Sequence, residues 1–179
     1  MAIDTVLSLA EIEDIFWNCT IKNLGLNPEK KESQKRIRIG YSTDGTPAWK
    51  RDENVGFILV SFASDPYTEQ IETSYARTSE TTADHVSSYT RVIQVSWTFY
   101  GPSSFDDADK VRTGLYRSPL LFSPLHLVTN VPAPLRLPEL FSGQWWERST
   151  LTARFNEKVV RSSTVKYIQS ADVQVIPNR

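Results

Sequence analysis

The chain has 179 residues, with 20 basic against 21 acidic side chains and a formal net charge of -1. That length allows one domain with a real core, and the balanced charge excludes a global field that would draw the protein onto nucleic acid or an anionic membrane. The lone Cys19 excludes an internal disulfide, and no apolar run approaches the roughly 20 residues needed to cross a bilayer.

With no basic segment or apolar stretch of signal-peptide length at the N-terminus, the expectation is a soluble protein made in a reducing cytoplasm. Asn18-Cys19-Thr20 fits a glycosylation sequon but falls within a helical pattern without secretory context, and reads as chance.

Ser8-Leu9-Ala10-Glu11 is a capping-box pattern and predicts a helix over Leu9 to about Asn23. Leu9, Ile12, Ile15, Phe16 and Cys19 recur at helical spacing as its apolar stripe, and Gly25 suits the left-handed position after its end. Asn27 to Lys35 is polar and opens with Asn-Pro, so an extended loop is expected over about 26–36. Ile37, Ile39 and Tyr41 alternate with Arg36, Arg38 and Gly40 as in a short half-buried strand. A second loop is expected over about 42–54, before the apolar run Val55 to Phe62, which reads as a central strand covered on both faces.

Ile71, Thr73, Tyr75 and Arg77 alternate with Glu72, Ser74 and Ala76 and predict a strand or β-arm, followed by a polar loop at about 78–88. From Tyr89 to Tyr100 the alternation is clean: Tyr89, Ile93, Val95, Trp97 and Phe99 share one face, with Thr90, Gln94, Ser96 and Thr98 on the other. Gly101-Pro102-Ser103-Ser104 ends that strand and offers a hydroxyl cap to a helix from about Phe105 to Tyr116. Its first turn is acidic and its end basic, complementing the helix dipole.

Five of the ten prolines lie between Pro119 and Pro138, which predicts an irregular connection with at most a short strand at Leu125 to Thr129. Gln144-Trp145-Trp146 opens a further strand, and a last strand runs from Val165 to Val175. The basic segment Asn156 to Ser163 is expected to join them as a hairpin loop. The sum is one α+β domain over residues 1–179: a single antiparallel or mixed sheet flanked by two main helices.

Catalytic chemistry is sparse. His85 and His126 stand in loop-like settings without a Cys or paired acid at ligand spacing, so both read as surface imidazoles. Cys19 on the apolar stripe packs as a small hydrophobe. Asp106, Asp107 and Asp109 lack the alternating ligands and terminal glutamate of a calcium loop and read as dipole compensation. No phosphate-cradling glycine loop or nucleophile elbow occurs. No cofactor or metal is expected, and no enzymatic activity.

Two features carry partner chemistry. Lys30, Lys31 and Lys35, with Arg36 and Arg38, form the densest positive run: either a solvated loop, or a surface facing DNA phosphates or an acidic partner. Trp145-Trp146 reads as core anchors or as aromatic hot spots at a subunit interface, and alternation allows one of each.

The order of these pieces is itself informative. A first helix and the strand Val55 to Phe62 precede a strand ending in Trp97-Thr98-Phe99-Tyr100-Gly101. A helix of pattern Asp107-Ala108-x-x-Val111-Arg112-x-x-Leu115 follows, then the proline-rich span, Gln144-x-Trp146-Glu147-Arg148, and closing strands reaching Tyr167-Ile168. This order resembles the neck or tail-terminator proteins of tailed bacteriophages, in particular the neck-terminator family found in many prophages. The resemblance is best from about Tyr89 to Ile176; the segments Ser42 to Asn54 and Arg77 to Ser88 are longer than the family's pattern.

The resemblance implies a virion structural protein of the phage neck, assembled in the host cytoplasm. It would form a ring, usually a homohexamer, that caps the finished tail tube, docks to the head-tail connector protein and passes the genome through its channel. Partners implied are further copies of itself, the tail tube protein, the connector, a tail sheath where one exists, and transient non-specific contact with genomic DNA; no membrane is involved. A heterologous ring interface would draw on the segments Glu69 to Ser79 and Asn156 to Ser163, with Tyr75, Arg77, Trp145, Trp146, Glu147 and Arg148 as candidate contacts. Lys30, Lys31 and Lys35 are candidates for the channel or a partner face. The alternatives are another neck or tail role, such as head completion or tube initiation, and a small enzyme or ligand-binding domain.

Overall fold

The computed structural model describes residues 4–40, 45 and 47–166. Helix α1 (Leu9–Asn23) starts where expected: the Ser8 hydroxyl accepts from the Glu11 N–H at 3.3 Å, and the Glu11 carboxylate accepts from the Ser8 N–H at 2.7 Å. These bonds hold the Glu11 carboxyl below the usual carboxylate range, the backbone bond at Ser8 contributing most. Ile12, Phe16, Cys19, Thr20 and Ile21 are buried, whereas Leu9, at the helix start, is exposed. Gly25 follows with φ 68°.

The loop expected over 26–36 is only half a loop. Lys31–Arg36 forms a short helix, α2, with Glu32 in its first turn and Lys35 and Arg36 in its last, an ordering of charge that suits the helix dipole. It leads directly into β1 (Ile37–Ile39), which runs parallel to β2 (Val55–Ala63). Tyr41, read as the end of that strand, lies outside the described residues.

Strand β4 (Thr82–Tyr100) is seven residues longer than the alternation from Tyr89 shows, and takes in much of the polar loop expected at 78–88. Its N-terminal part pairs antiparallel with β3 (Glu72–Arg77). Its full length pairs with β9 (Arg148–Lys166), from Thr82↔Lys166 to Tyr100↔Arg148. The hairpin loop expected at Asn156 to Ser163 is therefore the middle of one 19-residue strand. Backbone pairing on the β4 side carries those polar residues through the segment where side-chain alternation fades. The continuation toward Val175, with Tyr167 and Ile168, lies outside the described residues.

Between the two long strands, α3 (Ser104–Arg117) is followed by a 3-10 turn (Pro119–Phe122) and then β5 (His126–Leu127) and β6 (Leu135–Arg136). Both strands pair with the outer edge of β9. Ser103 occupies the cap position of α3 without a side-chain capping bond, contrary to the hydroxyl cap expected. Instead the Ser103 N–H donates to Asn54 Oδ1 at 2.9 Å, and Ser104 is buried against Ser149. The last pair, β7 (Glu139–Phe141) and β8 (Gln144–Trp146), forms a separate two-stranded sheet.

The architecture thus has mixed α/β content, with a seven-stranded mixed sheet ordered β1-β2-β4-β9-β5, β3 pairing further along β4 and β6 further along β9, and a second small sheet where a single sheet was expected. Helices α1 and α3 cover one face of the proximal half. There Trp97, Phe99, Leu151, Ala153 and Phe155 meet Phe16, Cys19, Val111 and Leu115 in one buried cluster. Phe16 packs at a tilt against Phe155, ring centres 4.6 Å apart, and meets Trp97 edge-on at 6.1 Å. Each such ring contributes about 1.5–3 kcal/mol from burial.

The distal half is different. Beyond Val92, the partner of the last residue of β2, the sheet narrows to β3, β4 and β9, and every β3 residue is exposed. The sheet is thus a covered body with a three-stranded arm. The N-terminal segment clasps the base of that arm. Leu7 N–H donates to Glu157 at 2.8 Å, Arg91 bonds both Glu157 and the Leu7 carbonyl, and Thr5 bridges Val160.

Candidate functional site: an aromatic end and a projecting arm

The body end of the β4–β9 ribbon carries an aromatic cluster on the face away from the helices. Antiparallel register puts Phe57, Thr98 and Thr150 in one row and Val55, Tyr100 and Arg148 in the next. Trp49, from the loop preceding β2, lies 5.1 Å from Phe57 and 5.5 Å from Tyr100. The Arg38 guanidinium sits 5.8 Å from the Trp49 ring and 5.9 Å from Phe57, an attraction of cation to ring face, and burial lowers its pKa.

The β7–β8 hairpin closes over this cluster. Its two-residue loop, Ser142-Gly143, has positive φ at both positions (48° and 76°), the twist that matches a tight hairpin. Register pairs Leu140 with Trp145 and Glu139 with Trp146, so Glu139, Phe141 and Trp146 face inward while Leu140 and Trp145 face out. Trp146 meets Trp49 at 6.3 Å and Phe141 at 5.9 Å, both nearly perpendicular. Between them lies a cavity of about 330 Å³ lined by Ala48, Trp49, Tyr100, Glu139, Phe141 and Trp146. The Tyr100 hydroxyl donates to Glu139 Oε2 at 3.2 Å, and Arg148 approaches the same oxygen at 3.6 Å. Burial raises the Tyr100 pKa, opposed by Arg148 and reinforced by Glu139.

The two tryptophans therefore divide, but neither joins the helix-covered core. Trp146 is half-buried in the aromatic cluster, and Trp145 is 64% exposed beside Leu140 at 58%. Leu135 and Leu137, along the edge of β9, are exposed as well. Glu147 takes a two-toothed bond from Arg136 at 2.6 and 2.9 Å, which holds its carboxyl below the usual range. Arg148, half-buried, opens β9.

Tyr75 and Arg77 lie at the opposite end, on the exposed edge strand β3, with the Tyr75 ring 4.8 Å from His85. The fold thus does not gather the candidate interface residues into one patch but sets them at two ends of one ribbon. His85 and His126 both lie in strands, not in the loops expected. Lys30, Lys31 and Lys35 are exposed on or beside α2, and Lys31 and Lys35 border a shallow groove with Trp17 and Arg38.

Three residues went unread. Trp49 stands in a stretch whose turn residues conceal its role, and Tyr100 looks like any strand terminus. Glu139 belongs to a hairpin that the Ser142-Gly143 pair, flanked by Phe141 and Gln144, could have signalled. Asp107 does more than offset the dipole: it is buried and ion-paired to Arg36 at 2.6 Å. Among the described residues no group of three or more His, Cys, Asp or Glu stands close enough to hold a metal, and no helix is long and apolar enough to cross a membrane.

Comparison with curated proteins returns no match. Comparison with protein families matches residues 10–179, all but the first nine, to the family described as phage neck terminator protein. The constellation of Trp97 to Gly101, the α3 pattern and Gln144 to Arg148 falls within that span, and the chain belongs to the phage neck terminator family.

Proposed function

We propose that this protein forms a closed ring, a homohexamer, at the head-proximal end of the tail tube. There it ends tube polymerisation, presents a new face to the head-tail connector and leaves a channel for DNA. It acts by geometry and not by catalysis. The observation that carries this reading, beside family membership, is the placement of two unlike surfaces at the two ends of one subunit. An exposed apolar patch around Trp145 and Leu140 lies at the body end, and an arm with every β3 residue exposed lies at the other. A ring needs such a pair, because its interface joins different patches of successive copies and closes when the rotation per subunit fits. An exposed tryptophan within an apolar patch is also the kind of anchor that dominates interface energetics.

The test is deletion of the gene in its phage. Full-length tails without attached heads, or tails of irregular length, are expected, together with loss of infectivity. Normal, tail-bearing infectious particles would sink the proposal. In solution, sedimentation velocity should show a concentration-dependent shift to a ring-sized species, weakened by Trp145→Ala.

A further inference from the structure

We infer that the aromatic cavity at the body end is a cage for a basic side chain, and that its occupant is a lysine or arginine from the arm of a neighbouring copy. The inference rests on the ring reading above and names the contact that would close it.

The walls favour a cation. Trp49, Tyr100, Phe141 and Trp146 bring four rings to the rim, and Trp146 stands nearly perpendicular to both Trp49 and Phe141, as in a box. Ring faces are electronegative and attract ammonium and guanidinium groups. Glu139 is the one charged residue of the lining. Tyr100 and Arg148 address its Oε2 at 3.2 and 3.6 Å, and the side chain remains 49% exposed, open to a further donor. The same cluster already holds the Arg38 guanidinium against Trp49 and Phe57 on another side. A neutral apolar guest would cover the half-exposed carboxylate without adding a donor to the bonds from Tyr100 and Arg148.

Charge complementarity points to the arm. From Lys158 to Lys166, β9 carries Lys158, Arg161 and Lys166, all exposed, and no acid. Along the 19-residue strand this segment lies up to about 60 Å from Arg148 beside the cage, at roughly 3.3 Å per residue. A subunit therefore cannot fill its own cage with its own arm, whereas a head-to-tail neighbour can. Lys158 and Arg161 project to opposite faces of β9, so the identity of the guest also fixes which face of the arm meets the next copy.

The test has two arms. In the first, sedimentation velocity compares the wild type with Glu139→Lys, with Lys158→Glu, Arg161→Glu and Lys166→Glu singly, and with each pair combined. Glu139→Lys should weaken association at least tenfold, one arm reversal should match it, and the corresponding double variant should recover most of the loss. Glu139→Gln, which keeps the hairpin's shape, should weaken association less. Wild-type association in Glu139→Lys, or no recovery in any double variant, overturns the assignment to a neighbouring copy while leaving the ring itself standing.

In the second arm, tryptophan fluorescence of the intact protein is titrated with acetyl-arginine amide and, separately, acetyl-norleucine amide. Selective response to the cation, lost in Glu139→Gln, is expected. Equal response to both probes, or to neither, overturns the cage. A wild type that stays monomeric at every concentration refutes ring formation in solution and with it the occupant, while the fluorescence arm still decides the chemistry of the cavity.

Discussion

The indole N–H of Trp97 donates to the hydroxyl of Thr20 at 2.9 Å, and that hydroxyl in turn donates to the Phe16 carbonyl at 2.7 Å, all three groups being buried. Helix α1 is thereby tied to the centre of β4 by a polar chain inside an aromatic core. Thr20→Val keeps the shape but orphans the indole N–H, at a cost of about 1–3 kcal/mol. Urea unfolding should show this as a lower midpoint with an unchanged slope. Trp97→Phe in the Thr20→Val background should add less than it does alone, because the orphan is then gone.

Asp107 ties α3 to α2. Its carboxylate is 4% exposed and receives Arg36 at 2.6 Å, with Lys110 more distant at 3.9 Å. Asp107→Ala leaves the partly buried guanidinium without its partner and should cost about 3 kcal/mol, read as a fall in the urea midpoint. The double replacement Arg36→Met with Asp107→Leu should recover much of that loss, since apolar side chains of similar volume replace the pair.

Gly101 joins β4 to α3 at φ 100°, and a Cβ there would stand 2.4 Å from the Glu53 carbonyl oxygen. Gly101→Ala therefore meets both an unfavourable dihedral and immovable backbone, and should destabilise by about 2 kcal/mol or more. Thermal unfolding followed by circular dichroism checks it.

Burial raises the Cys19 thiol from its ordinary 9.0 to about 11, against the smaller opposing pulls of the Asn23 hydrogen bond and Lys22. The folded state thus holds the proton more tightly than the unfolded state. The resulting stabilisation is complete below about pH 9 and is lost as pH rises toward 11. Native protein at pH 8 should react with a disulfide-exchange reagent far more slowly than urea-unfolded protein, and Cys19→Ala should flatten the fall in stability between pH 9 and 11.

Lys30, Lys31 and Lys35 have exposed side chains, and reversing them to glutamate should leave thermal stability within about 0.5 kcal/mol of wild type. If they face the channel, the triple variant should assemble normally but retain or pass DNA poorly. Unchanged infectivity of phage carrying it would dismiss that placement.

Much of the body was legible. The Ser8 to Glu11 box and the apolar stripe announce α1, because capping and periodicity are local properties of a few adjacent residues. Trp97 and Phe99 announce the covered face of β4 through strict alternation. Asn156 to Ser163 was not legible as strand, nor was Thr82 to Ser88. Buried positions continue as far as Glu157 and Val159, but one of these is a charged residue and Val159 is followed at once by Val160, so polarity along the sequence does not alternate there. The cavity beneath the β7–β8 hairpin was hidden for another reason: Trp49, Tyr100 and the hairpin pair Glu139 and Trp146 meet from three separate segments.

By itself, the sequence determined where α1 and α3 start, which face of α1 and of β4 meets the core, and, through the order of its degenerate motifs, the resemblance to phage neck terminators. Those signals are carried by neighbours along the chain. Only the tertiary structure decided that β4 and β9 run together for 19 residues, that Trp146 lines an aromatic cavity while Trp145 faces out, and that the interface candidates occupy opposite ends. Strand register and the meeting of distant side chains are set by pairing and packing across the whole sheet, and no local window contains them.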